Sequence, residues 1–193
     1  MNYLRSFAPW IIYAVATTTL DWRLCALIGL VIAVALVAWE LSSAKGLDSM
    51  VIEVSAVAFF ALVSLIAFVL PDAPLHENLL ALSSAWLALT AWGSLAIRQP
   101  FTLGIARTMV PREIWDNPVF RRTNVVITAV WAISFTVEGI AAAVITAAAP
   151  HVVTPIVVLR IASFAVPAVF TVRYSKYVRA RAVESAGRRS SEG

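Results

Sequence analysis

Apolar residues fall along this chain in long unbroken blocks separated by short polar stretches. The blocks run roughly Phe7 to Leu20, Leu24 to Trp39, Met50 to Leu70, Leu79 to Ile97, Val125 to Ala149 and Val152 to Val172. Such blocks match the length a helix needs to cross a bilayer, about 17 to 25 residues, with the first two at or below the lower end. Helices are the expected form, because an open sheet leaves backbone groups unpaired in lipid and the period-two alternation of a membrane barrel is missing. The pattern therefore predicts an all-α polytopic membrane helix bundle of about six transmembrane helices arranged as three hairpins. Only Asp21, Trp22 and Arg23 join the first two blocks. These blocks form either a tight hairpin of thin or tilted helices or a re-entrant pair.

Composition agrees with a membrane domain. Of the 193 residues, 61% are hydrophobic and 13% charged, against roughly a quarter charged in ordinary soluble domains. The longest polar stretches, a connection at 98–124 and a basic tail at 174–193, are each too short to hold a separate core. No small-residue cleavage site follows the first block, which is expected to remain as the first crossing.

Charge adds an orientation. Arg5, Lys45, the group Arg98, Arg107, Arg112, Arg121 and Arg122, and the tail group Arg173, Lys176, Arg179, Arg181, Arg188 and Arg189 share one face of a six-crossing arrangement. Connections near residues 21, 72 and 151 carry only Arg23. Basic residues near helix ends stay on the cytoplasmic side, so both termini are expected there, with the chain multi-pass in a bacterial-type inner membrane.

Two ionisable residues sit deep in apolar blocks. Glu138 lies 13 residues beyond Val125 and Arg160 lies 12 before Val172, which places both roughly 18 to 20 Å from the cytoplasmic end. A lone charge at that depth costs at least about 2.5 kcal/mol, so the two are expected to pair, either as a structural lock or as a proton, ion or substrate site. Ser134, Thr136 and Ser163 are candidate hydrogen-bond donors to it. A polar path on the fourth helix would run through Ser83, Ser84, Thr90 and Ser94. Gly139, Ala143 and Ala147 repeat at the small-residue spacing of close helix packing, expected within the last hairpin. Pro167 is expected to free a backbone carbonyl one turn earlier and bend the last helix.

Within 98–124, Leu103, Ile105, Ala106 and Met109 surround Arg107 at spacings that suit a short interfacial helix ended by Pro111. Arg98, Arg107, Arg112, Trp115, Arg121 and Arg122 are the candidates for contact with anionic lipid headgroups or with a partner membrane protein. The basic tail, with Tyr174 and Tyr177 at a membrane exit, reads as attraction to lipid rather than to nucleic acid.

The order of landmarks resembles the bacterial intracellular septation protein A family of small inner-membrane proteins. The parts that carry the likeness are Phe7-Ala8-Pro9 at the entry to a short double crossing, Trp92 to Pro100 with Arg98 before the proline, and Trp115, Asn124, Trp131, Phe135 and Gly139 in the last third. The resemblance implies an envelope or division protein without known chemistry. Together with the absence of a reaction centre it leads to the expectation of a non-enzymatic scaffold or accessory protein working through other membrane proteins, its helix bundle a candidate for homo-oligomer formation.

No phosphate-binding glycine loop, zinc-spaced His-Glu pair or nucleophile elbow occurs, so no catalytic site, metal or cofactor is expected. His76 and His151, with Asp72 and Glu77 near the first, read as solvated loop residues. Cys25 reads as a small apolar residue, and Asp48 and Glu53 as acids favoured at a helix N-terminus.

Overall fold

A computed structural model describes residues 5–17, 19–43, 50–70, 78–148 and 154–191, without the side chains of 154, 183 and 185–191. Among the described residues the chain is entirely helical: α1 (Ala8–Ala16), α2 (Trp22–Ser42), α3 (Val51–Val69), α4 (Leu79–Ala96), α5 (Phe101–Arg107), a 3₁₀ turn (Arg112–Ile114), α6 (Pro118–Ala148) and α7 (Thr154–Ser191). Five of these, α2, α3, α4, α6 and α7, are long and apolar enough to cross a membrane. The chain is thus a multi-pass helical membrane bundle.

The first block departs from an unbroken span. α1 has nine residues, about 14 Å of rise, or roughly half the hydrocarbon core. Pro9 opens it, where a missing N–H costs nothing. Beyond Ala16 the helix gives way to an irregular stretch, and Asp21 then caps α2 by accepting from Arg23 N at 2.9 Å. The short arm still runs antiparallel to α2. Arg5, before α1, donates from Nη2 to Glu40 Oε1 at 2.6 Å near the end of α2, and its guanidinium lies 5.0 Å over the Trp39 ring.

The closest neighbours are α2 with α3, α4 with α6, and α6 with α7. α3 meets α4 more lightly, through Ser55 Oγ, which shares a 2.7 Å hydrogen bond with Thr90 Oγ1 and accepts from Trp86 Nε1 at 2.9 Å. One side of α1 fills the wedge between α2 and α3. Trp10 and Tyr13 are buried there against Phe59 and Phe60, with ring centroids 4.9 to 5.1 Å apart. Opposite this cluster α2 carries Gly29, where an added Cβ would lie 2.7 Å from the Phe60 ring.

The 98–124 connection also differs from expectation. α4 ends in paired bonds, Gln99 N to Ser94 O and Arg98 N to Leu95 O, both 2.9 Å, with Arg98 left-handed at φ 59°. This is the helix ending usually given to glycine, here made by arginine. The tight turn sends α5 back into the bundle, so Phe101, Thr102, Leu103, Gly104 and Ile105 are buried rather than spread on the membrane surface. Thr102 makes this possible by donating to Asn124 O at 3.0 Å and meeting Thr128 Oγ1 at 2.7 Å. The last two helices exceed their apolar blocks. α6 begins at Pro118, taking in Arg121 and Arg122, and α7 continues through the basic segment to Ser191.

Phe60 is boxed in by Trp10, Tyr13 and Phe59, so it has no room to retreat. Gly29→Ala should destabilise the protein by about 1 to 3 kcal/mol through overpacking. Gly93→Ala, whose Cβ would meet nothing within 4 Å, should cost nothing. Thermal unfolding of the two variants in the same detergent reads the difference.

Candidate functional site

Glu138 and Arg160 come together. On α6 the buried residues Thr128, Trp131, Phe135, Glu138 and Ala142 recur every three or four positions, so the carboxylate lies on the helix's core stripe. Arg160 reaches it from α7 with Nε 3.0 Å from Oε1; the carboxylate side chain is 0% exposed and the guanidinium 13%. Arg160 Nη2 donates to Ser83 Oγ on α4 at 2.8 Å, and the guanidinium stands 6.0 Å over the Phe164 ring. Three helices, α4, α6 and α7, therefore converge on this charge.

The carboxylate and Arg160 Nε nevertheless complete no well-directed hydrogen bond among the described residues. Ser84 and Ser163 flank the carboxylate, but their hydroxyls donate to Leu80 O and Arg160 O, at 2.9 and 2.8 Å. Thr136 donates to Ala132 O and accepts from Trp92 Nε1. Ser134 donates to Ser163 O at 3.1 Å, the carbonyl that Pro167 leaves without its helical N–H four residues later. Each hydroxyl expected to serve Glu138 instead satisfies backbone. The attraction is mostly charge against charge, strengthened by the burial of both side chains.

An aromatic layer underlies the pair on the side toward Pro118. Phe7 stacks on Trp131 at 4.8 Å, and Phe135 and Phe164 meet each other at 5.4 Å and Phe7 at 6.0 and 5.5 Å. Phe101 of α5 adds an edge contact to Phe7 at 6.1 Å. Trp131 Nε1 donates to Thr171 Oγ1 at 3.1 Å, and the Thr171 hydroxyl in turn donates to Pro167 O at 2.7 Å. The Ser134, Trp131 and Glu138 contacts together set the register of α6 on α7.

The small-residue stripe does not pack within the last hairpin. Gly139 faces α4, where an added Cβ would sit 3.5 Å from Ala85 N and Ser84 Cβ. Ala143 and Ala147 are exposed. Gly139 thus places a small residue against α4 beside Glu138, on the same helix that sends Ser83 to Arg160.

Of the basic candidates, Arg107 and Arg112 converge on Trp115, their guanidinium carbons 5.2 and 5.5 Å from its ring centroid. Arg98 stands exposed at the end of α4, and Arg121 and Arg122 on the first turns of α6. Arg121 lies 4.0 Å from the exposed Asp116, a pairing worth little in water.

No protein-family model, curated protein or solved structure matches this chain. The reading of the site accordingly rests on its geometry.

Sequence reasoning missed the Arg5–Glu40 pair and the Thr102–Thr128 contact. The first had a signal: a hairpin returns the residue before its first block to the residue after its second. The second had none, since nothing local marks α5 as turning inward. Asp48, Asp72, His76, Glu77 and His151 lie outside the described residues. Among the described ones, no group of three His, Cys, Asp or Glu residues is placed to hold a metal, and Cys25 is a buried free thiol.

Removing one partner strands a buried charge, so Glu138→Gln or Arg160→Met alone should each cost about 3 to 5 kcal/mol, and the double variant less than the sum. Simple addition in thermal unfolding would mean the two residues act independently. Ser134→Ala should cost about 1 to 3 kcal/mol by leaving the Ser163 carbonyl bare. Most of that loss should vanish in the Pro167→Ala background, where the helix supplies its own N–H; an equal loss in both backgrounds would refute this account of the carbonyl.

Proposed function

We propose that this protein is a non-enzymatic scaffold or accessory component of a bacterial inner membrane, acting through contacts with other membrane proteins, with both termini in the cytoplasm. The observation that carries this reading is the full burial of Glu138 against Arg160, itself held by Ser83 and seated over Phe164. Such a pair suits an internal lock that fixes helix arrangement, the best attested use of a buried ionic contact. The hydroxyls of α4 support the same view. Ser83 serves Arg160, Thr90 meets Ser55, and Ser94 accepts from Phe101 N at 3.2 Å, so they face three separate neighbours rather than one continuous polar path. The resemblance to the septation protein A family names the class of partner: proteins of division or envelope assembly. Gathering of basic residues at one end supports the orientation.

A second reading, a small transporter or channel working at Glu138 and Arg160, draws support from one feature. The carboxylate oxygens complete no hydrogen bond among the described residues, and such a group is suited to receive a proton or ligand.

In-cell crosslinking separates the two. Division or envelope proteins should be recovered with wild type and with Glu138→Gln, and be lost when Arg107→Ala and Arg112→Ala are combined. Recovery of no partner by any version, together with proton or ion flux in liposomes that Glu138→Gln abolishes, would replace the scaffold with the transporter.

A further inference from the structure

We infer that the connection from Met109 to Arg122, with the adjoining turns of α7, is a docking surface for the headgroups of anionic phospholipids. The inference rests on the membrane-spanning reading of the helices and not on the scaffold function.

Burial divides the 98–124 connection into two parts with different neighbours. Phe101 to Ile105 turn inward. Beyond them the chain returns to the surface with apolar and basic residues interleaved. Met109, Ile114 and Val119 are 42%, 40% and 55% exposed, among the exposed Arg112, Arg121 and Arg122. Trp115 is half-buried, with the Arg112 guanidinium over its ring. A tryptophan flanked by arginine, beside aliphatic side chains open to the surroundings, suits the boundary between acyl chains and headgroups.

The register of the last two helices adds charge to this surface. Trp131 bonds to Thr171 across an antiparallel pair, so Arg121, ten residues before Trp131, falls level with Arg181, ten after Thr171. Arg122 falls level with the same turn, and Arg179 and Lys176 lie within it or the turn before. Two neighbouring helices thus raise arginines to one height, about 26 Å along α6 from Glu138 and just outside the apolar block that starts at Val125. Glu113, Asp116 and Glu184 are the acidic residues near this height in sequence; all three are exposed, Asp116 at 93%, and they are outnumbered by Arg112, Arg121, Arg122, Lys176, Arg179 and Arg181. Like charges so gathered repel unless an anion neutralises them, and the guanidinium matches a phosphate with paired N–H donors.

The occupant is a lipid rather than an acidic protein, a nucleic acid or free phosphate, because the same short connection offers aliphatic side chains that only a lipid layer would cover alongside the phosphates. Each arginine facing an anionic surface contributes about a fivefold gain in association, a gain that salt screens.

The test uses the full-length protein in mixed micelles of phosphatidylcholine and phosphatidylglycerol, with native mass spectrometry counting the lipids retained. Wild type should keep phosphatidylglycerol in preference to phosphatidylcholine, and the preference should shrink as salt rises. Combining Arg112→Ala, Arg121→Ala and Arg122→Ala should lower it by about fivefold per arginine, whereas Lys at the same three positions should retain most of it. The Lys variant also guards against a folding defect in the Ala variant. Unchanged preference in the Ala variant overturns the proposal, as does displacement of the lipid by equimolar inorganic phosphate, which would mark a site for the phosphate group alone. Recovery of no crosslinked partner even with wild type, with lipid preference intact, would sink the scaffold reading and leave this one standing.

Discussion

A charge in hydrocarbon has no water to turn to, and the arrangement of α4, α6 and α7 follows from that constraint acting on Glu138. A carboxylate at this depth without a partner would oppose membrane insertion by at least about 2.5 kcal/mol, and Arg160 answers it from the neighbouring helix at 3.0 Å. The answer has structural consequences. Arg160 reaches Ser83 only if α4 comes close, and Gly139, adjacent to the carboxylate, faces α4 at that point. Height is set as well: once Glu138 faces Arg160, Ser134 meets the Ser163 carbonyl and Trp131 meets Thr171.

The same rule governs the uncharged polar groups. Pro167 frees a carbonyl inside the membrane, and a serine on the next helix bonds to it. Thr102 enters the bundle on α5 and is satisfied by Asn124 O and Thr128. These hydroxyls hold backbone and neighbouring helices together, leaving the ion pair to depend on electrostatics and on the aromatic layer that packs beneath it. Such an interior suits a rigid body that presents its surfaces to other membrane components. The Met109 to Arg122 connection, where apolar and basic residues emerge together, is the surface whose chemistry points outward.

Much of the bundle was legible in the amino-acid order, because insertion into lipid selects on local properties. A run of apolar residues long enough to span, and a basic residue at its end, act within one helix and its flanks. Five of the blocks appear as long helices, and the depth match of Glu138 with Arg160 followed from counting residues at a fixed rise. Pro167 is a further case: the missing N–H is a covalent fact, so the freed carbonyl was expected before its partner Ser134 was known.

What the tertiary structure alone decided was which faces meet. Hydropathy cannot distinguish lipid from a neighbouring helix, since both are apolar surroundings. α5 therefore read as a surface helix until the left-handed turn at Arg98 and the bond from Thr102 to α6 drew it inward. The stripe of Gly139, Ala143 and Ala147 likewise read as one packing face, yet α4 covers the glycine and leaves the two alanines open. α1 read as part of a longer crossing, and its nine residues are held instead by aromatic packing against α3 and by Arg5 on Glu40. Amino-acid order determined the depth and length of the helices, properties each segment carries by itself. Their pairing, and the use made of each hydroxyl, depended on contacts between residues far apart in the chain, which no single segment encodes.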